Sequence, residues 1–169
     1  MTIENLKEKI AEYPDFPIDG VLFRDLSPLF KESMSELTDE MSKLLGDATL
    51  KNCDFIAGIE SRGFILASAL AQKFNKGLVL IRKPGKLPGE VVSQSYTLEY
   101  GSGELQMHKG SGKLIIVDDV LATGGTLSAS NTLSERAGFD VVDVAVCINL
   151  KDLNSYTFKD KPIKTLFTY

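Results

Sequence analysis

The sequence predicts a single α/β domain spanning residues 1–169: a central, mainly parallel sheet flanked by helices, carrying a β-hairpin flap and a flexible loop within about 82–108. Three observations predict it. Apolar runs of strand length alternate with helical stretches between residues 55 and 148, the pattern of strand–helix–strand units with right-handed crossovers. The best strand pattern, Lys113 to Val120, runs into a two-glycine loop and then a helix. The length of 169 residues, with 43% hydrophobic and 25% charged content, suits one core, and no repeat or long linker divides it.

Taken in order, Ile3, Leu6 and Ile10 share one helical face over residues 3 to 12, and Pro14 stops that helix at Tyr13. Asp15 to Pro28 reads as a loop broken by Pro17 and Gly20. Met34, Leu37, Met41, Leu44 and Leu45 mark an amphipathic helix that Gly46 ends. Phe55 to Ile59 is a strand ending in Glu60-Ser61-Arg62-Gly63. Phe64 to Phe74 is a helix ended by Gly77, and Leu78 to Ile81 is the next strand. Ser95 to Glu99 and Glu104 to His108 read as a hairpin around Tyr100-Gly101-Ser102-Gly103. After Lys113 to Val120, a helix runs to Ala137 with Ala129, Leu133 and Ala137 inward and Gly138 as its cap. Val141 to Ile148 is a last core strand, and Ile163, Leu166 and Phe167 suggest an edge strand.

Composition narrows the function. A formal charge of −4 argues against general nucleic-acid binding, which needs excess Lys and Arg at the phosphates. No apolar run reaches the ~20 residues that span a bilayer, and residues 1–13 lack the apolar stretch of a signal peptide. A cytoplasmic protein without membrane or nucleic-acid partners is expected. Cys53 and Cys147 show no metal or redox spacing and read as buried thiols, and the single His108 reads as an ordinary polar residue on a strand.

The chemistry concentrates in Ile115 to Thr126. An apolar strand delivers Asp118 and Asp119 to its carboxyl end, and Ala122-Thr123-Gly124-Gly125-Thr126 opens a helix. Ligands of parallel α/β sheets bind at that end. A glycine-rich helix N-terminus offers unpaired N–H groups and a favourable dipole to an anion. Two carboxylates repel a phosphate but suit the hydroxyls of a sugar beside it, so the string predicts a site for a ribose 5-phosphate. The spacing is not that of a P-loop, because no Gly-Lys-Ser/Thr follows.

These residues resemble the ribose-phosphate motif of the type I phosphoribosyltransferases. The resemblance sharpens to the adenine phosphoribosyltransferases through Pro14-Asp15-Phe16-Pro17, Gly20 to Asp25, Gly58 to Phe64, Arg82 to Pro88 and Ser95 to Gly101. It spans residues 13 to 138 and implies that family's fold. It also implies transfer of phosphoribosyl from phosphoribosyl diphosphate to adenine, magnesium bound mainly through donor oxygens with no protein metal ligand, and a homodimer.

It assigns further roles by position. Ser61 and Arg62 would meet the diphosphate, with a cis peptide expected between Glu60 and Ser61; otherwise Arg62 is a surface helix cap. Arg82, Lys83 and Lys86 would add diphosphate contacts or form a solvated basic loop. Phe23 would stack on the base, with the backbone near Leu22 and Arg24 at its edge and Val120 as opposite wall, unless Phe23 is a core residue. Glu99 is the candidate catalytic residue, handling a proton on adenine from the flap, or a strand-end carboxylate in solvent. Alternatives for the whole are transfer to xanthine, hypoxanthine or guanine, and a non-catalytic donor-binding regulator.

Overall fold

The computed structural model describes residues 2–98 and 101–169. Its frame is a five-stranded parallel sheet of β3 (Phe55–Ile59), β4 (Gly77–Ile81), β7 (Gly112–Leu121), β8 (Phe139–Asn149) and β11 (Lys164–Thr168), in the order β11-β8-β7-β3-β4. The helix α4 (Gly63–Phe74) links β3 to β4, and α5 (Gly125–Ala137) links β7 to β8.

Alternation along β7 sends Ile115 and Val117 to one face and Leu114 and Ile116 to the other, as a strand buried on both sides requires. The first face packs Leu66 and Leu70 of α4 with Leu37, Met41 and Leu45 of α2 (Ser27–Leu45) and Leu50 of α3 (Asp47–Asn52). The second packs Leu127 and Leu133 of α5. With α4 and α5 on opposite faces and the strand order diverging from β3 and β7, the switch point lies between those two strands, where ligand crevices of open α/β sheets form.

The amino-terminal region departs from its sequence pattern. Helix α1 covers only Ile3–Lys7, closed by a capping box between Thr2 and Asn5. Leu6 and Ile10 are buried as the periodicity requires, but the Lys9 and Ile10 amides bond back to Leu6 and Lys7, tightening the turn. The chain then enters strand β1 (Ala11–Tyr13), which pairs antiparallel with β2 (Phe23–Asp25). The span expected to be loop therefore holds a strand, whose partner is too distant for local periodicity to reveal. Helix α2 starts at Ser27, ahead of its clearest pattern, and is interrupted at Ser33, whose φ/ψ of −147°/36° is not helical. Gly46 ends it in the left-handed region at φ 87°. The short α3 carried no periodic signal.

Asn75, at φ 51°, caps α4, and Gly77 begins β4 instead of ending the helix. Strands β5 (Val92–Leu98) and β6 (Gly101–Met107) form an antiparallel ribbon, longer at its base than expected because Val92 pairs with Met107 and Tyr96 with Gly103. The expected segment Tyr100 and Glu99 lies outside the described residues. His108 follows β6 instead of lying within it, and its Nε2 donates to the Pro88 carbonyl (2.8 Å). Past β8, a short helical turn (Lys151–Leu153) and the strand pair β9 (Thr157–Phe158) and β10 (Lys161–Pro162) lead into the edge strand β11.

Candidate active site at the carboxyl ends of β3 and β7

Strand β7 ends in Asp118 and Asp119, each 7% exposed, followed by the loop that opens α5. Gly124 turns this loop at φ 93°, ψ −9°, and no side-chain hydrogen bond caps the helix, so its first N–H groups have no side-chain acceptor there. That hollow, about 90 Å³, is lined by Asp118, Val120, Leu121, Ala122, Thr123, Gly124, Thr126 and Leu127. The loop is backed from behind: Asn154 Nδ2 donates to the Ala122 carbonyl (2.8 Å). A Cβ on Gly124 would come within 3.1 Å of Tyr156.

Across the switch point, β3 ends in the Glu60-Ser61-Arg62-Gly63 turn, and the Glu60–Ser61 peptide is cis, as expected. The turn presses against β7 so closely that a Cβ on Gly63 would lie 2.6 Å from Asp118 Oδ1. Arg62 Nε sits 2.5 Å from Asp119 Oδ2. The pair is ionic without hydrogen-bond alignment, since that buried oxygen has no hydrogen-bond partner among the described residues. Burial, and then the neighbouring Asp119 carboxylate, push Asp118 well above the ordinary carboxylate range. The Arg62 guanidinium also lies 5.1 Å from the centre of the Phe23 ring.

Phe23 meets Phe16 edge-on at 5.1 Å between ring centres. Both line a second hollow of about 380 Å³ with Tyr13, Pro14, Asp15 and Asp25. Leu22 beside it is 41% exposed. Arg62 lies between the two hollows: it pairs with Asp119, the neighbour of the Asp118 that lines the first, and its guanidinium approaches the Phe23 ring that lines the second. Val120, expected opposite Phe23, lines the first hollow beside Thr123 and Gly124.

The basic loop is organised by an acid. Glu60 Oε2 accepts from the Lys83 amide (2.9 Å) and from Arg82 Nε (3.3 Å). The Lys83 amide bond, opposed by burial and supported by Arg82, holds Glu60 below the usual carboxylate range. Arg82 Nη1 donates to the Lys86 carbonyl (3.1 Å), so this guanidinium shapes the loop, while Lys83 and Lys86 are exposed. The Arg82 backbone also bridges to Gln106 of the ribbon. The structure brings Arg62 against Asp119 and the Gly63 turn against Asp118, near the Ala122-to-Thr126 loop, whereas Glu99 lies outside the described residues.

A family model for the phosphoribosyl transferase domain matches residues 31–169. A curated relative, the adenine phosphoribosyltransferase of Nitrosopumilus maritimus, is 49% identical over 156 residues, covering 89% of this chain and 90% of its own. The chain belongs to the adenine phosphoribosyltransferase family. Two solved members of the family share its architecture. The enzyme of Thermoanaerobacter pseudethanolicus is 36% identical with a TM-score of 0.90, over 99% of this chain and 100% of that one. The Saccharomyces cerevisiae enzyme, solved with an imino-altritol bisphosphate and adenine, is 34% identical with a TM-score of 0.89, over 97% of each chain.

Within this adenine phosphoribosyltransferase fold, three side chains carried no sequence signal. Asn154 and Tyr156 back the Ala122-to-Thr126 loop from a segment of weak patterning. Tyr169 lies under Arg24, whose guanidinium carbon is 3.9 Å from its ring centre. No motif or periodicity marks these residues, because each acts on a partner distant in the chain.

Proposed function

We propose that the chain transfers the 5-phosphoribosyl group of phosphoribosyl diphosphate to adenine, giving AMP and diphosphate. The observation that carries this reading is the hollow in which the uncapped N-terminus of α5 meets the buried Asp118 at the sheet edge, with the Asp119–Arg62 pair beside it. The amides of Ala122 to Thr126, with the Thr123 and Thr126 hydroxyls, would hold the 5-phosphate. Asp118 and Asp119 would accept the ribose hydroxyls, and a hydroxyl would give Asp119 Oδ2, ion-paired with Arg62, the hydrogen bond it lacks among the described residues.

Phe23 would stack on adenine, flanked by Leu22 and the Arg24 backbone, with Val120 on the sugar side. N9 of adenine forms a bond to the anomeric carbon, the bond from that carbon to the diphosphate oxygen breaks, and the base gives up one proton overall. Glu99 would handle a proton at N7. Ser61, Arg62, Lys83 and Lys86 would meet the diphosphate, with Arg82 holding their loop in shape. The Arg82–Met107 segment would act as a flap that excludes water.

Magnesium fits as a companion of the donor. Donor oxygens and water would carry it, and among the described residues no group of three or more His, Cys, Asp or Glu side chains could hold a metal ion. When bound, it supplies charge neutralisation on the leaving diphosphate. No described helix is long and apolar enough to cross a membrane. On this reading the partners are small molecules in the cytoplasm. A second copy would make the homodimer, and a solution mass of a single chain would remove that part.

AMP formation from adenine, donor and magnesium, compared with hypoxanthine, guanine and xanthine, tests the reading. Adenine should exceed each of the others by at least about a hundredfold in kcat/KM. Equal rates with another purine, or no donor-dependent release of diphosphate, would overturn it. Glu99→Gln should lower kcat by about 10²-fold or more while donor affinity stays near wild type; equal turnover would remove Glu99 from proton transfer.

A further inference from the structure

Tyr169 lines neither hollow, yet it connects to both sides of the site. Its amide donates to the Asn149 carbonyl (3.0 Å) and its carbonyl accepts from the Lys151 amide (2.9 Å), which stitches it to the end of β8. From the same turn, the Leu150 amide donates to Leu121 (2.9 Å) and Asn154 Nδ2 donates to Ala122 (2.8 Å). Residues 149 to 154 therefore form an abutment. One side carries the phosphate loop and the other carries Tyr169.

The Tyr169 ring faces the base side. Arg24 lies over it at 3.9 Å and Lys7 Nζ lies 4.4 Å from its centre. Arg24 Nε also pairs with Glu12 Oε1 across the β1–β2 ribbon (3.2 Å). That ribbon is three residue pairs long and, among the described residues, joins no other strand. Two short strands alone are marginally stable, so a seat outside the ribbon must hold Phe23 in register with the sugar. Arg62 also reaches the Phe23 ring, but on the adenine-transfer reading both Arg62 and its partner Asp119 are met by ligand. The Arg24–Tyr169 stack is independent of ligand.

We propose that Tyr169 is a positioning residue: its ring seats the Phe23 ribbon through Arg24 and sets the base side at a fixed offset from the phosphate loop. It touches no substrate. The inference rests on the adenine-transfer reading for its kinetic consequence, though not for its structural one. Separate arms of the abutment serve separate ligands, so damage to each arm should fall on a different substrate.

The test compares Tyr169→Ala, Tyr169→Leu, Tyr169→Phe and Asn154→Ala in the full chain. Removing the aromatic face, in Ala and Leu alike, should raise KM for adenine about tenfold at saturating donor, with kcat and donor Kd within about twofold of wild type. Phe keeps the ring and should restore wild-type values. Asn154→Ala should do the reverse, raising donor Kd and leaving adenine KM near wild type. Hydrogen exchange of the unliganded proteins gives a readout without activity: amides of residues 11–13 and 23–25 should exchange faster in Tyr169→Ala and Tyr169→Leu, and those of 121–126 should not. The Leu variant keeps buried bulk should Ala fail to fold. Unchanged ribbon exchange, an unchanged adenine KM, an equal loss of donor affinity, or a Phe variant as impaired as Leu would overturn the inference. Absence of AMP formation by the wild type would instead remove the adenine-transfer reading, with the exchange data still deciding whether Tyr169 seats the ribbon.

Discussion

Asp118 and Asp119 are adjacent in sequence but meet different surroundings. Asp119 faces Arg62, whereas Asp118 packs against the Gly63 turn and is raised first by burial and then by its neighbour's charge. An acid with a raised folded-state value keeps its proton in the folded chain after the unfolded chain has lost it. Its contribution to stability is therefore full below the ordinary carboxylate range and declines as pH climbs through the folded value. Asp118→Asn should remove that decline. Its melting temperature should match wild type near about pH 4 and exceed it increasingly toward neutrality, at ~2–4 °C per kcal/mol, while donor binding weakens. A melting difference that does not vary with pH would contradict the assignment. At this scale sequence reading found the residues that share one motif, Asp118 to Thr126. It missed Asn154, Tyr156 and Tyr169, whose roles come from contacts across the fold.

The β7–loop–α5 unit was legible because every signal in it is local: an apolar run, two glycines and an inward stripe of Ala129, Leu133 and Ala137. Gly124 shows why the loop needs glycine, with φ 93° and Tyr156 behind it. Gly124→Ala would place a methyl group in the left-handed region against that ring, a strain of about 1–3 kcal/mol. The amide cradle should shift, raising donor Kd by about tenfold or more in a direct titration; an unchanged Kd would mean that these amides do not hold the phosphate. The β1–β2 ribbon was illegible by the same logic. Ile3, Leu6 and Ile10 satisfy a helical template whether or not the helix continues, and only pairing with Phe23 to Asp25 shows that it does not. The cap at Asn75 was missed because glycine is the stronger stop signal and Gly77 stood two residues away.

For the whole molecule, the order β11-β8-β7-β3-β4 brings two sequence-distant turns to one edge, and no residue pattern encodes that order directly. It follows from right-handed crossovers over both faces, which makes the class readable while leaving contacts such as Arg24 with Tyr169 invisible. The second core has a less obvious lid. Leu105 and Met107, at the root of the β5–β6 ribbon, are buried within it, and Arg136 Nη1 of α5 donates to the Ser93 carbonyl and Gln94 Oε1. Raising the ribbon from its root would bare both side chains to water, at about 1.5–3 kcal/mol each. The ribbon is thereby fastened to the sheet along its root, as a page is held at its spine.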